Sequence, residues 1–195
     1  MDYIGAKNYI IDKLRAELPR DLYYHSANHS LDVLKAVECY AKIEKIYSTN
    51  LILLKTAAIY HDSGFLIKYF NNEIESVKMV HDILPGFGYN EKQIDKISQM
   101  ILSTEIPQKP KNHLERIICD ADMDYLGRSD FYMISVHLLR EWNEHGLITS
   151  LKEWYIQEVY FLEQHEYFTK AALKLRNAMK KHHLKQIKEL LGNNI

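Results

Sequence analysis

Apolar residues recur every three or four positions along most of this chain, the spacing of helices that bury one face. The first predicted helix runs from about Ala6 to Leu18, with Tyr9, Ile10, Leu14 and Leu18 on one side and Pro19 ending it. A second spans about Asn28 to Ile46, with Leu31, Leu34, Val37, Ala41 and Ile43 facing inward. The third, LILLKTAAIYHD, is apolar on nearly every side, as expected of the centre of a bundle. Thr49 or Asn50 is placed to cap it, and Ser63-Gly64 to stop it. Six further segments follow. They are Glu73–Leu84 before Pro85-Gly86, a helix from Asn90 with Gln93 at capping-box spacing, and His113–Met123. Then come a helix opened by Ser129-Asp130 and ending near His145, one opened by Ser150 with Glu153, and a last one from about Tyr167.

No segment alternates strictly as a half-buried strand would, and no internal repeat or linker is visible. The expectation is therefore one all-α domain over residues 1–195, a bundle of about eight or nine helices. Its motif-bearing core covers about 24–128 and its accessory helices about 129–195. Composition agrees: glycine and proline are scarce, at 7 and 4, and hydrophobic residues make up 47%, enough for a packed core. A formal net charge of −1 gives no global case for nucleic acid or a membrane surface as partner. There is no signal-peptide pattern and no run of ~20 apolar residues. The two cysteines, Cys39 and Cys119, have no CxxC partner, which suits a reducing compartment. A cytoplasmic protein is expected.

Chemistry enters with His61-Asp62, at the end of the most apolar helix. A histidine and a carboxylate are costly to bury unless each has a partner, and a cation between them would satisfy both. His29 in the preceding helix, and Asp120 and Asp122 in ICDADMDYLG, supply further imidazole and carboxylate groups. Mixed ligands of this kind suit one divalent ion: Mn, Fe, Co, Ni, Zn or Mg. On one short helix Asp120, Asp122 and Asp124 cannot all face the same way. Asp124 is the one expected to be an ordinary solvated acid. His81, among Val77, Val80 and Leu84, reads as a core histidine, and His182-His183 as part of a solvated basic face.

The order H…HD…D resembles the HD superfamily of metal-dependent phosphohydrolases. The likeness extends to HSLDV from His29, AAIYHDSGF, NEIES from Asn72, and ADM with Leu126-Gly127. It implies His29, His61, Asp62 and Asp122 as metal ligands, with Asp120 the competitor for the last place. It implies water-driven cleavage of a phosphoester or phosphoanhydride in a small phosphorylated molecule of the nucleotide kind. Asp62 or Glu73 would handle the water, and His25, Lys68, Lys109 and Arg128 would contact substrate. Some relatives carry a glutamate three residues after the HD aspartate, where this chain has Phe65. Two other functions therefore stand beside the hydrolase: a nucleotide-binding sensor without turnover, and a two-iron oxygenase recruiting His81 and His113. The aromatic-rich C-terminal helices offer a surface for a homodimer.

Overall fold

The computed structural model describes residues 1–192; residues 193–195 lie outside it. Among the described residues there are nine α-helices and no strand. They are α1 (Tyr3–Glu17), α2 (Ala27–Ile43), α3 (Ser48–Tyr60), α4 (Asn72–Ile83), α5 (Glu91–Leu102), α6 (His113–Asp122), α7 (Phe131–Glu144), α8 (Leu151–Gln164) and α9 (Lys170–Gly192). None is long and apolar enough to cross a membrane.

The nearly uniform apolarity of α3 is explained by its position, since α1, α2, α5 and α6 all pack on it. Leu53, Leu54, Ala57, Ala58, Ile59 and Tyr60 are each at most 1% exposed. The carboxyl end of α3 is thereby held at the middle of the bundle, and His61 and Asp62 follow it there. Thr56, the polar residue inside this helix, is satisfied by Ile52 O and the Tyr89 hydroxyl.

Helix ends follow local chemistry. Asp2 accepts from Gly5 N and starts α1 earlier than the apolar pattern suggests, as a side-chain cap does for an orphan N–H. α2 stops at Ile43, short of the expected Ile46, because Lys45 takes positive φ and Ile46 N turns back to Ala41 O. Neither Thr49 nor Asn50 caps α3; its cap position is Tyr47, whose side chain makes no capping bond. The capping box of α5 is complete, with Asn90 and Gln93 satisfying each other's backbone. At α8 it is altered: Ser150 accepts from Glu153 N, but the Glu153 carboxylate reaches Thr149 instead. α9 begins at Lys170 rather than near Tyr167: the Thr169 hydroxyl accepts from Ala172 N, as a cap does, and Asp120 accepts from Phe168 N and Thr169 N.

Two glycines permit close packing. A Cβ on Gly64 would lie 1.8 Å from Asn72 O, so the turn Ser63–Leu66 can meet the start of α4 because it carries no side chain there. A Cβ on Gly127 would lie 2.3 Å from Arg176 O, where α9 crosses the turn Asp124–Gly127.

Candidate metal centre

Three helices deliver four side chains to one interior point. His29 comes from the first turn of α2, His61 and Asp62 from the end of α3, and Asp122 from the last residue of α6. His29 Nε2 lies 3.3 Å from Asp62 Oδ2 and 3.2 Å from Asp122 Oδ1. His61 Nε2 lies 3.2 Å and 3.4 Å from the same two oxygens. The side chains are only 9%, 1%, 12% and 9% exposed, for His29, His61, Asp62 and Asp122 in that order, so water cannot solvate the group freely.

Despite these separations, His29 Nε2, His61 Nε2 and Asp62 Oδ2 have no well-directed hydrogen bond. Buried polar atoms in a folded protein are nearly always paired. Three unpaired buried atoms converging with the Asp122 carboxylate are what a cation would satisfy. Ligands about 2.1 Å from a metal, at angles between octahedral and tetrahedral, stand about 3.0–3.4 Å apart. The observed edges fall in that range, so the residues fit a divalent ion. His29, His61 and Asp122 form the tightest mutual set, and Asp62 joins through its contacts with both rings.

The surroundings fix the ligands. His61 Nδ1 donates to Ala58 O at 2.9 Å, which turns Nε2 toward the carboxylates and makes it the nitrogen that a metal would use. Gln108 Nε2 approaches Asp122 Oδ2 at 3.4 Å, and the Tyr24 ring stands 4.5 Å from that of His29. Burial works against charge on all of these groups. The carboxylates of Asp62 and Asp122 outweigh it at His61 and hold that ring well above its ordinary pKa. The imidazoles outweigh it in turn at Asp62 and Asp122, whose carboxyls lie below the usual range.

Asp120, two residues before Asp122, is turned about 200° around the helix and serves the fold. It is fully buried and accepts from Phe168 N and Thr169 N, both at 2.8 Å. Asp124 is buried rather than solvated, which corrects the expectation for it. Its carboxylate accepts from Tyr40 Oη at 2.5 Å and Arg176 Nε at 2.7 Å, and this crosslinks α2 and α9. His81 is exposed beside Ser98 rather than in the core, and His113 pairs with Glu44; neither belongs to the cluster. His183 departs from the solvated face expected of it: it is buried, stacks on Phe131 and donates to Leu126 O.

The remaining candidates divide. Glu73 is half-buried, and burial, followed by the charges of Asp62, Glu105 and Asp122, raises its pKa, so it lies within electrostatic reach of the cage. Arg128 lines a groove of about 760 Å³ together with His29, Asp122, Tyr24 and Tyr125. Its guanidinium is engaged by Asp130, Asp32 and Asp124. Lys68 is bound to Glu75 at 3.0 Å. Lys109 lines a different cavity, of about 580 Å³, whose walls include no cage residue. His25 donates through Nδ1 to Glu141, a fully buried carboxylate of α7. Glu141 and Gln108 are absent from the motif reading; Glu141 lies 116 residues from its partner, and neither periodicity nor spacing links the two.

Comparison with known proteins adds the following. The HD domain family model matches residues 26–124, a segment that contains all four cage residues and Glu73. An uncharacterized protein of Clostridium beijerinckii is 32% identical over 97 residues, 48% of this chain and 61% of that protein. The chain thus matches less than two thirds of that relative's length. Two crystal structures of Bacillus subtilis YpgQ share the fold at 18% identity. The complex with ADP has a TM-score of 0.69 and covers 99% of this chain and 97% of YpgQ. The second structure has a TM-score of 0.68, with 100% and 98% covered.

Proposed function

The chain belongs to the HD domain family, and from that premise we propose that it is a metal-dependent phosphohydrolase acting on a small phosphorylated molecule of the nucleotide kind. The observation that carries this reading is the cage itself: two buried imidazole nitrogens, each 3.2–3.4 Å from an oxygen of Asp62 and of Asp122, with both nitrogens and the Asp62 oxygen lacking a hydrogen bond. His29, His61, Asp62 and Asp122 would hold one divalent ion. Bound there, such an ion supplies Lewis acidity toward a phosphate oxygen and lowers the pKa of water from 15.7 toward ~7.

The chain's own residues then divide the remaining work. Asp62 orients the attacking water. Glu73, with its raised pKa, accepts the proton that the water gives up as its oxygen bonds to phosphorus. The ester or anhydride P–O bond breaks, and the leaving oxygen takes a proton from solvent water. The groove of about 760 Å³ has the volume of a small-ligand site, and the Tyr24 and Tyr125 rings on its wall suit a planar base. The ADP complex of the fold relative YpgQ supports a nucleotide as the class to try first. His25 is proposed to touch the phosphate. Arg128 is proposed to order the groove's edge, since its charge already has carboxylate partners.

The test is elemental analysis of protein purified without chelator, alongside His61→Ala and Asp62→Ala, followed by a screen of nucleotides and phosphoesters with the metal found. Near-stoichiometric metal lost in both variants, with phosphate or pyrophosphate release by the parent alone, is the expected result. A parent that takes up no metal after reconstitution would refute the proposal. Nucleotide binding without turnover in any metal would favour a sensor.

A further inference from the structure

The buried carboxylate of Glu141 has no role in the cage, yet it is the hub of three segments. It accepts from the backbone N–H groups of Tyr24 at 2.9 Å and His25 at 3.1 Å, from His25 Nδ1, and from Tyr69 Oη at 3.1 Å. Its side chain is fully enclosed. A buried carboxylate with four donors is satisfied and fixed in place. What it holds is a ring, and that ring borders the cage.

The His25 ring stacks on Phe65, with centroids 4.2 Å apart and planes 22° from parallel, and stands edge-on to His29 at 6.1 Å. Phe65 follows closely on Asp62, so this stack sets His25 beside the ligands. Because a carboxylate only accepts, the bond to Glu141 puts a proton on Nδ1 in every state of the ring. Nε2, on the ring's opposite edge, has no hydrogen-bond partner among the described residues, and the side chain keeps 19% exposure. The ring is thus pinned on one edge, sandwiched on one face and free on the edge that remains.

We propose that Glu141 is a positioning residue of the site, fixing the plane and tautomer of His25 so that Nε2 is presented to the phosphate held at the cage. This rests on the phosphohydrolase reading above. It also assigns a part in the site to α7, a helix outside the segment that the family model matches. His25 sits at the edge of that segment and Glu141 well beyond it, so the partner of His25 comes from an accessory helix.

The experiment is a double-substitution cycle with Glu141→Gln, His25→Ala and the pair together, read as kcat and KM, with metal content measured on every protein. Long-range proton–nitrogen NMR of the imidazoles reports the His25 tautomer without reference to turnover. The expected results are a proton on Nδ1 in the parent, lost or shared in Glu141→Gln, and unchanged metal content. For Glu141→Gln, kcat should fall about 10- to 100-fold, the usual effect of removing a partner that orients a site histidine. That fall should vanish when His25 is already alanine, because residues acting as one unit are not additive. An equal fall in both backgrounds marks Glu141 as merely structural and overturns the inference alone, as does a parent His25 whose only ring proton is on Nε2. A parent that holds metal but cleaves no phosphoester or anhydride overturns the hydrolase reading, and this inference with it.

Discussion

Asp120 and Asp122 are two residues apart on α6, both buried, and they should fail in opposite ways. Alanine at 120 removes the acceptor of two backbone N–H groups, those of Phe168 and Thr169. An orphaned buried donor costs about 1–3 kcal/mol; Thr169 N is buried and Phe168 N only part-buried, so the fold should lose about 2–4 kcal/mol. At about 2–4 °C per kcal/mol for a domain of this size, the melting temperature should drop on the order of 10 °C. The four cage side chains stay where they are, so metal content should not change. Alanine at 122 removes the oxygen that stands 3.2 Å from His29 Nε2 and 3.4 Å from His61 Nε2. Bound metal should fall far below one equivalent. The assay is elemental analysis of both variants, with thermal melts of chelator-treated protein so that metal binding does not confound stability. A folded Asp120→Ala protein without metal, or an Asp122→Ala protein with a full equivalent, would refute the assignment of these two carboxylates.

Other outcomes follow from the same coordinates. Manganese at about 100 times its Kd should stabilise the parent by about 2.7 kcal/mol, reversed by EDTA and absent in Asp62→Ala; a shift of equal size in that variant would place the ion elsewhere. Glu158 is buried, and burial pushes its carboxyl up to about 7 even though Ser135 and Trp154 bond it. Its folded pKa is above its unfolded one, so its contribution to stability is fully present below about pH 4.5 and is lost as the pH rises through about 7. Glu158→Gln should therefore gain about 1–3 kcal/mol on the parent in urea melts at pH 8.5 and nothing at pH 4; equal effects at both would contradict this. Gly64→Ala places a methyl 1.8 Å from Asn72 O. It should cost about 2–3 kcal/mol and lower turnover by displacing the start of α4, which carries Glu73; unchanged stability would mean that the turn can relax.

How much of this was legible beforehand depends on the range of the interaction. The α5 capping box was readable because its two partners are three residues apart, and α3 because burial on all sides leaves an unbroken apolar run. The cage residues stood out because His61 and Asp62 interrupt that run, and their spacing resembled a known family. Contacts that depend on α7 and α9 folding back were not readable. Nothing local distinguishes Asp120, spent on the α8–α9 connection, from Asp122, or shows that Asp124 is buried against Tyr40 and Arg176. Lys68 looked available for phosphate because Glu75, its partner at 3.0 Å, reads as a surface acid. Glu141 lies near the polar end of α7, between Arg140 and Trp142, and its importance appears only once residue 25 is beside it.

The crossing of α9 over the turn that follows Asp122 also has a bearing on biosynthesis. Gly127 against Arg176 O, the Asp124–Arg176 pair and the His183 bond to Leu126 O all need a helix that is translated well after α6. Asp120 likewise waits for residues 168 and 169. At roughly 5–20 residues per second, α6 spends several seconds on the ribosome with its buried acids unmatched. The nascent chain can gather α1, α2 and α3 early, but the wall bearing Asp122 locks only after α9 emerges. On the proposed metal reading, loading would follow that docking, and a chain stalled or clipped before α9 would hold His29, His61 and Asp62 on settled helices and Asp122 on an unsecured one.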